Sequence, residues 1–189
     1  STVADRTTLI DNATLSTIQI EKVAQIFLST PDESWNLLTE WDVDYVVVYV
    51  AAQRLDGNYG DNSLYVLNGG GDESKKSWFM RIADVDLSKY LESDGVSGTT
   101  YFWNETLLGQ MIPYNTLLYY DEENNLQSEI YQNGFVPISV LEINYADDGN
   151  YPLKLVHTSP SFTDKNIDRF SAILVYEVNK NYIPIEPFS

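Results

Sequence analysis

The order of apolar patterns predicts a mixed α/β (α+β) fold for this chain of 189 residues, helix-rich over its N-terminal two-thirds and strand-rich over its C-terminal third. Three observations carry that expectation. Two neighbouring segments before residue 42 have helical apolar spacing and a helix-start signal. "DYVVVYVAA", beginning at Asp44, is a β-branched run with almost no polar residue. After Gly134, three strand-like runs alternate with turn-forming clusters. The length suits one domain with one core, with no second comfortable unit.

In chain order, Ile20, Val23 and Phe27 of "TIQIEKVAQIFLST" stand at i, i+3 and i+7, the stripe of an amphipathic helix. In "TPDESWNLLTEW", Thr30 is placed to cap and Pro31 takes the first helical position, where its missing N–H costs nothing. Glu33, three residues after the cap, completes a capping box, and Trp35 and Leu38 supply the apolar face. The valine-rich run reads as a strand buried on both faces. Gly57, Gly60 and Gly69 to Gly71 mark residues 55–71 as loop or linker. A helix is predicted from about Asp72 to Ala83. "SGTTYFWNETLLGQMIPYNTLLYYD" predicts a helix around 105–111 and another near 113–120. "FVPISVLEINY", "YPLKLVHTS" and "FSAILVYEVNK" read as strands, separated by "DDGN" and "SPSFTDKN". No internal repeat or low-complexity tract is present.

Composition bounds the function. A net charge of −17 leaves no basic stripe to neutralise phosphates, which argues against nucleic acid as a partner and against docking on an anionic membrane surface. There is no cysteine, so disulfides and thiolate metal sites are excluded. No apolar run approaches the roughly 18 to 20 residues of a membrane span. The opening "STVADRTTLID" has no initiator Met and no leader, and reads as the interior of a longer polypeptide.

Catalytic signals are thin. The single histidine, His157, lies near Ser159 and Ser161 in a strand-like run without a nucleophile-elbow pattern. It reads as structural or exposed, and one His without Cys does not make a zinc site. "DGNYGDN" at Asp56 to Asn62 begins like a calcium loop, but its twelfth position is Leu67 where a bidentate Glu is required. Asp147 and Asp148 fit a hairpin turn better than a metal site. Two sequons, Asn12-Ala13-Thr14 and Asn104-Glu105-Thr106, are candidate glycan acceptors if the chain faces the outside of a cell or the lumen.

"GGGDESKKSWFMRIAD", residues 69–84, carries the most specific pattern. Gly71 or Asp72 caps the predicted helix, with Asp72 and Glu73 at the positive end of its dipole. Asp72, Lys75 and Phe79 share one face, and Glu73, Lys76 and Met80 the neighbouring one. Read in succession, "ADRTTLIDNAT", "VAQIFLSTPDESWNLLTEWDVDYVVV", "GDESKKSWFMRIAD", "TLLGQM" and "ILVYEVNK" closely resemble the C-terminal soluble domain of the oligosaccharyltransferase catalytic subunit. That family includes the archaeal single-subunit enzyme AglB and the catalytic subunit of the eukaryotic complex; a short, acidic segment fits the archaeal branch.

The resemblance covers nearly the whole chain, more loosely beyond residue 120. It implies a domain on the extracytoplasmic face of a multi-span membrane enzyme that moves a lipid-linked oligosaccharide to the Asn of Asn-X-Ser/Thr. It implies recognition of the acceptor sequon rather than bond making, with no catalytic residue, cofactor or metal in this domain and no activity in isolation. The divalent cation, Mn or Mg, would be held by the membrane part, and the family's WWDYG motif would lie just upstream. Asp72 and Lys75 match the first positions of the family's DxxKxxx(M/I) motif. Phe79 stands at the Met/Ile position and Met80 one place later; a shifted register reads Glu73, Lys76 and Met80. The domain alone is expected to be monomeric. A carbohydrate-binding module, with Trp103 and nearby tyrosines stacking on sugars, and a stand-alone acidic-site hydrolase are the competing expectations.

Overall fold

The computed structural model describes residues 16–54, 63–66, 71–93, 95, 97–112, 114–120, 126–128, 136–141, 145 and 149–184; at 63–66, 73, 114–120, 126–128 and 136–141 it describes backbone only. Asn12, Asp56 to Asn62, Leu67, Gly69, Gly70, Asp147 and Asp148, on which expectations rest above, lie outside these residues.

The first two helices form where the sequence places their caps. Ser16 Oγ accepts the Gln19 N–H, and α1 (Thr17–Leu28) follows. Its inner face is Ala24, Ile26 and Leu28, while Ile20, Val23 and Phe27 sit half-buried at its rim. In α2 (Pro31–Glu40) the capping box is complete, the Thr30 N–H donating to Glu33 Oε2 at 3.1 Å and the Thr30 hydroxyl accepting the Glu33 N–H. Such a cap is worth about 1 kcal/mol. The helix ends at Asp42, with φ 54, which turns the chain so that the Val43 N–H reaches the Leu38 carbonyl at 2.9 Å.

Among the described residues, seven strands make one antiparallel sheet: β1 (Tyr45–Arg54), β2 (Ser63–Val66), β3 (Tyr114–Tyr120), β4 (Leu126–Ser128), β5 (Val136–Leu141), β6 (Leu153–Thr158) and β7 (Arg169–Val178), in the order β4-β3-β5-β2-β1-β7-β6. β1 and β7 form its longest ladder, in register from Tyr45↔Glu177 to Gln53↔Arg169. Val46, Val48, Val50 and Ala52 point to the core, directly opposite Tyr176, Leu174, Ala172 and Phe170. The helical layer lies over that face: α1, α2, α3 (Lys76–Ile82), α4 (Leu87–Tyr90), α5 (Thr100–Glu105), α6 (Leu107–Met111) and α7 (Pro160–Thr163). Ile26, Leu28, Leu38, Met80, Phe102, Leu107, Leu108, Met111 and Phe162 are its contributions to the core.

Three expectations are corrected. The valine-rich strand is open along the first part of its second face: Val47 is 54% exposed, Tyr45, Tyr49 and Ile173 share that side, and only from Ala51 onward is it covered. An antiparallel sheet with one helical layer leaves the other face to solvent, and β-branched residues occupy it as readily as the core side. The helix predicted near 113–120 is β3, because a seven-residue run is too short for periodicity to decide and its tyrosines and threonine favour a strand. The loop predicted over 55–71 contains β2.

The helix expected around 105–111 is two helices meeting at Thr106. This fully buried residue accepts the Gly109 N–H at 3.1 Å through Oγ1 and donates to the Phe102 carbonyl at 2.6 Å. It thus ends α5 and caps α6. Gly109 packs so closely against α5 that a Cβ there would overlap the Phe102 carbonyl and stand 2.8 Å from Trp103 Cα. Beneath this corner the Tyr176 hydroxyl donates to the Met111 carbonyl, and Tyr145, edge-on to Tyr176 at 5.8 Å, donates to Gln110 Oε1 at 3.1 Å.

Candidate functional site

The segment with the Asp72/Lys75 pattern opens as a 3-10 turn, Asp72–Lys75, and continues as α3. Ser74 holds the turn by donating its hydroxyl to the Gly71 carbonyl at 2.6 Å. The side chain of Asp72 does not cap α3 as the sequence led us to expect. It reaches across to the sheet, where Asp72 Oδ2 accepts the backbone N–H of Tyr49 at 2.7 Å. β2 pairs with β1 only from Ala52 to Arg54, so it stops short of Tyr49. Alternation along the ladder turns the Tyr49 amide away from β7, and the carboxylate supplies the acceptor that a longer β2 would have provided. The other oxygen, Oδ1, pairs with Lys75 Nζ at 2.8 Å; the Asp72 side chain is 17% exposed and that of Lys75 50%. A charge-assisted bond of this kind is roughly twice as strong as a neutral one, whereas the half-exposed ion pair adds little.

The rest of α3 is divided by burial. Met80 has no exposed surface and sits in the core. Phe79 is half-buried, its ring 5.4 Å from Phe27 of α1. Lys76, in the alternative register, is buried too, with its ammonium 5.9 Å from the Phe102 ring. The structure therefore groups Asp72, Lys75 and Phe79 toward the accessible side and Lys76 and Met80 toward the interior. α3 ends at Asp84, with φ 51, and the Val85 N–H closes onto the Met80 carbonyl at 3.2 Å. Both ends of the segment are thus fixed, one to a strand and one by its own turn.

Three features were not found from the sequence. Trp78 is 67% exposed, the largest apolar side chain presented by α3. Ser77 and Arg81 line one wall of an open groove of about 510 Å³, completed by Leu87, Leu91, Glu92 and Thr99. The Asp72–Tyr49 bond links positions 23 apart in sequence, and nothing local signals it. Of the remaining candidates, His157 is exposed on β6, and Trp103 packs edge-on against Phe102 at 5.0 Å. Among the described residues no three His, Cys, Asp or Glu side chains converge to hold a metal ion, and no helix is long and apolar enough to cross a membrane.

A sheet covered on one side, with a short helix clamped to an uncovered strand edge, describes an α+β domain with a fixed surface helix. Comparison with known proteins shows what part of it is similar to. The chain is 31% identical over 112 residues to the dolichyl-diphosphooligosaccharide–protein glycosyltransferase subunit stt-3 of Caenorhabditis elegans, a match covering 56% of this chain and 13% of that protein. It is 34% identical over 82 residues to the corresponding subunit STT3 of Saccharomyces cerevisiae, covering 43% of this chain and 10% of the yeast protein. No protein-family model matches the chain. The likeness to these STT3 subunits extends over about half of this chain and about a tenth of each of theirs.

Proposed function

We propose that this domain contributes acceptor recognition to an oligosaccharyltransferase, reading the Ser/Thr of an Asn-X-Ser/Thr sequon on the extracytoplasmic face of a membrane. The match spans about a tenth of each relative. Transfer of the lipid-linked oligosaccharide, and the divalent cation that assists it, are assigned to the rest of the enzyme. The described residues offer no set of ligands that fits a cation, and the domain alone is expected to be inactive.

One observation carries this reading: the double anchorage of Asp72. A recognition surface needs side chains held in place before the substrate arrives, because ordering them afterwards subtracts from affinity. Asp72 fixes the start of the segment to β1, and Lys75 neutralises the carboxylate from the solvent side. Their role here is to position the segment. Contact with the acceptor falls to its accessible apolar surface, and burial favours Phe79 over Met80 for the threonine methyl, since Met80 has no surface to offer. One buried methyl is worth about 0.8 kcal/mol, or roughly a fourfold preference for Thr over Ser.

The test is glycosylation of paired Thr and Ser sequon peptides by the full-length enzyme. Asp72→Ala and Lys75→Ala should both lower turnover, Asp72→Ala by more. Phe79→Ala should narrow the Thr-over-Ser ratio toward one. Undiminished turnover in both motif variants would remove the site assignment, and an unchanged ratio in Phe79→Ala would remove the role given to that ring.

A further inference from the structure

Asn104, Glu105 and Thr106 form a sequon within the domain itself, and the structure treats its two ends in opposite ways. Asn104 lies on the exposed side of α5, and among the described residues its side-chain amide has no hydrogen-bond partner. A group attached to Nδ2 would extend into solvent and break no contact. Thr106 has no exposed surface, and its hydroxyl is committed twice, as donor to the Phe102 carbonyl at 2.6 Å and as acceptor from the Gly109 N–H at 3.1 Å. The Asn104 carbonyl is also occupied, accepting from Gln110 Nε2 at 2.5 Å. The tight seat of Gly109 on α5 leaves the corner no slack to open by small shifts.

We propose that Asn104 is an N-glycan acceptor that is modified before the α5–α6 corner closes and is protected from modification once it has closed. The proposal rests on the extracytoplasmic reading above. An enzyme that selects sequons through the hydroxyl at the third position can reach Thr106 in the unfolded chain and cannot reach it in the folded one. The donor is a lipid-phosphate-linked oligosaccharide. Asn104 Nδ2 forms a bond to the anomeric carbon of the first sugar, and the bond from that carbon to the phosphate oxygen breaks. Its electron pair leaves on the lipid phosphate, and one amide proton passes to a base. The product keeps the same helix corner, because neither Nδ2 proton takes part in it.

Two measurements test this. In the first, the full-length protein is purified from its own host, and the peptide containing Asn104 is analysed by mass spectrometry. A glycan on Asn104, absent from Asn104→Gln, is expected, and Asn104→Gln should leave the unfolding midpoint where it was. In the second, host membranes carrying lipid-linked oligosaccharide are offered two acceptors: the folded, unmodified chain and a synthetic peptide covering residues 100–110. The peptide should be glycosylated and the folded chain at least about tenfold more slowly, since reaction must wait for the corner to open. An unmodified Asn104 in the host, with the synthetic peptide still glycosylated, overturns the proposal alone. A folded chain modified as fast as the peptide overturns the protection. Glycosylation of neither Asn104 nor the peptide overturns the proposal together with the functional reading beneath it.

Discussion

Removing the Asp72 carboxylate should detach the candidate helix from the sheet at a cost that can be worked out in parts. The bond from the Tyr49 N–H is short, at 2.7 Å, and ends on a charged acceptor whose side chain is 17% exposed. Hydrogen bonds to charged groups contribute about 1.5–3 kcal/mol, and partial access of water to this edge places it near the lower end. The ion pair to Lys75 is half in solvent and adds at most about 0.5 kcal/mol. Asp72→Ala should therefore destabilise the domain by about 2 kcal/mol, which for a chain of this size lowers Tm by roughly 4–8 °C. Lys75→Ala, which leaves the strand bond intact, should cost under about 1 kcal/mol. Asp72→Asn keeps a neutral acceptor and should lose about half of what Asp72→Ala loses. Thermal unfolding followed by circular dichroism gives the three shifts, and hydrogen exchange at the Tyr49 amide reports the bond itself. Equal losses in Asp72→Ala and Lys75→Ala, or unchanged protection of the Tyr49 amide in Asp72→Ala, would refute the reasoning.

Three further outcomes are expected. Met80→Ala opens a cavity under α3 and should cost about 2–5 kcal/mol in urea unfolding, the signature of a core residue. Gly109→Ala forces α5 and α6 apart and should cost about 1–3 kcal/mol, with loss of ordered signals from residues 100–111. The Tyr182 phenol is pushed from its ordinary 10.0 up to about 12, first by burial and then by its hydrogen bond to Asp32. A raised phenol favours the neutral form in the folded state, so its stabilisation is full below pH 10 and is lost as pH climbs toward 12. Denaturant midpoints measured from pH 8 to 12 should fall across that window, and Tyr182→Phe should flatten the Tyr182 share of the fall.

The local chemistry of this chain is written plainly in its sequence. Thr30, Pro31 and Glu33 announce α2 within four residues, and the helix starts there because the signal and the structure obey the same short-range rule. The strand character of Tyr45–Arg54 and Arg169–Val178 is equally legible, since β-branched runs of that length have few alternatives. Which faces are buried was not legible, because that depends on where the helices lie. Thr106 illustrates a second limit: nothing in "NETLLG" announces that a threonine will break one helix to begin the next, although Thr is an ordinary cap. At the candidate site, the spacing of Asp72 and Lys75 places them on one face, and the structure pairs them. The partner of Asp72 was hidden, because a bond to a backbone amide leaves no mark on the identity of residue 49. Asp84 was silent for a similar reason, since a turn normally marked by glycine is made here by aspartate.

The ladder between β1 and β7 also sets an order of events during synthesis. β1 is complete by residue 54, but the strand that pairs with it along Tyr45–Gln53 comes more than a hundred residues later, at residues 169–178. Until that strand has emerged, the edge to which Asp72 binds has no fixed position. At roughly 5–20 residues per second, an interval of several seconds separates the appearance of residue 72 from that of its completed support. The Asp72–Lys75 segment is therefore among the last parts of the domain to mature although it is encoded in the first half, and a ribosome that stops short of residue 169 releases the motif without the surface that orients it.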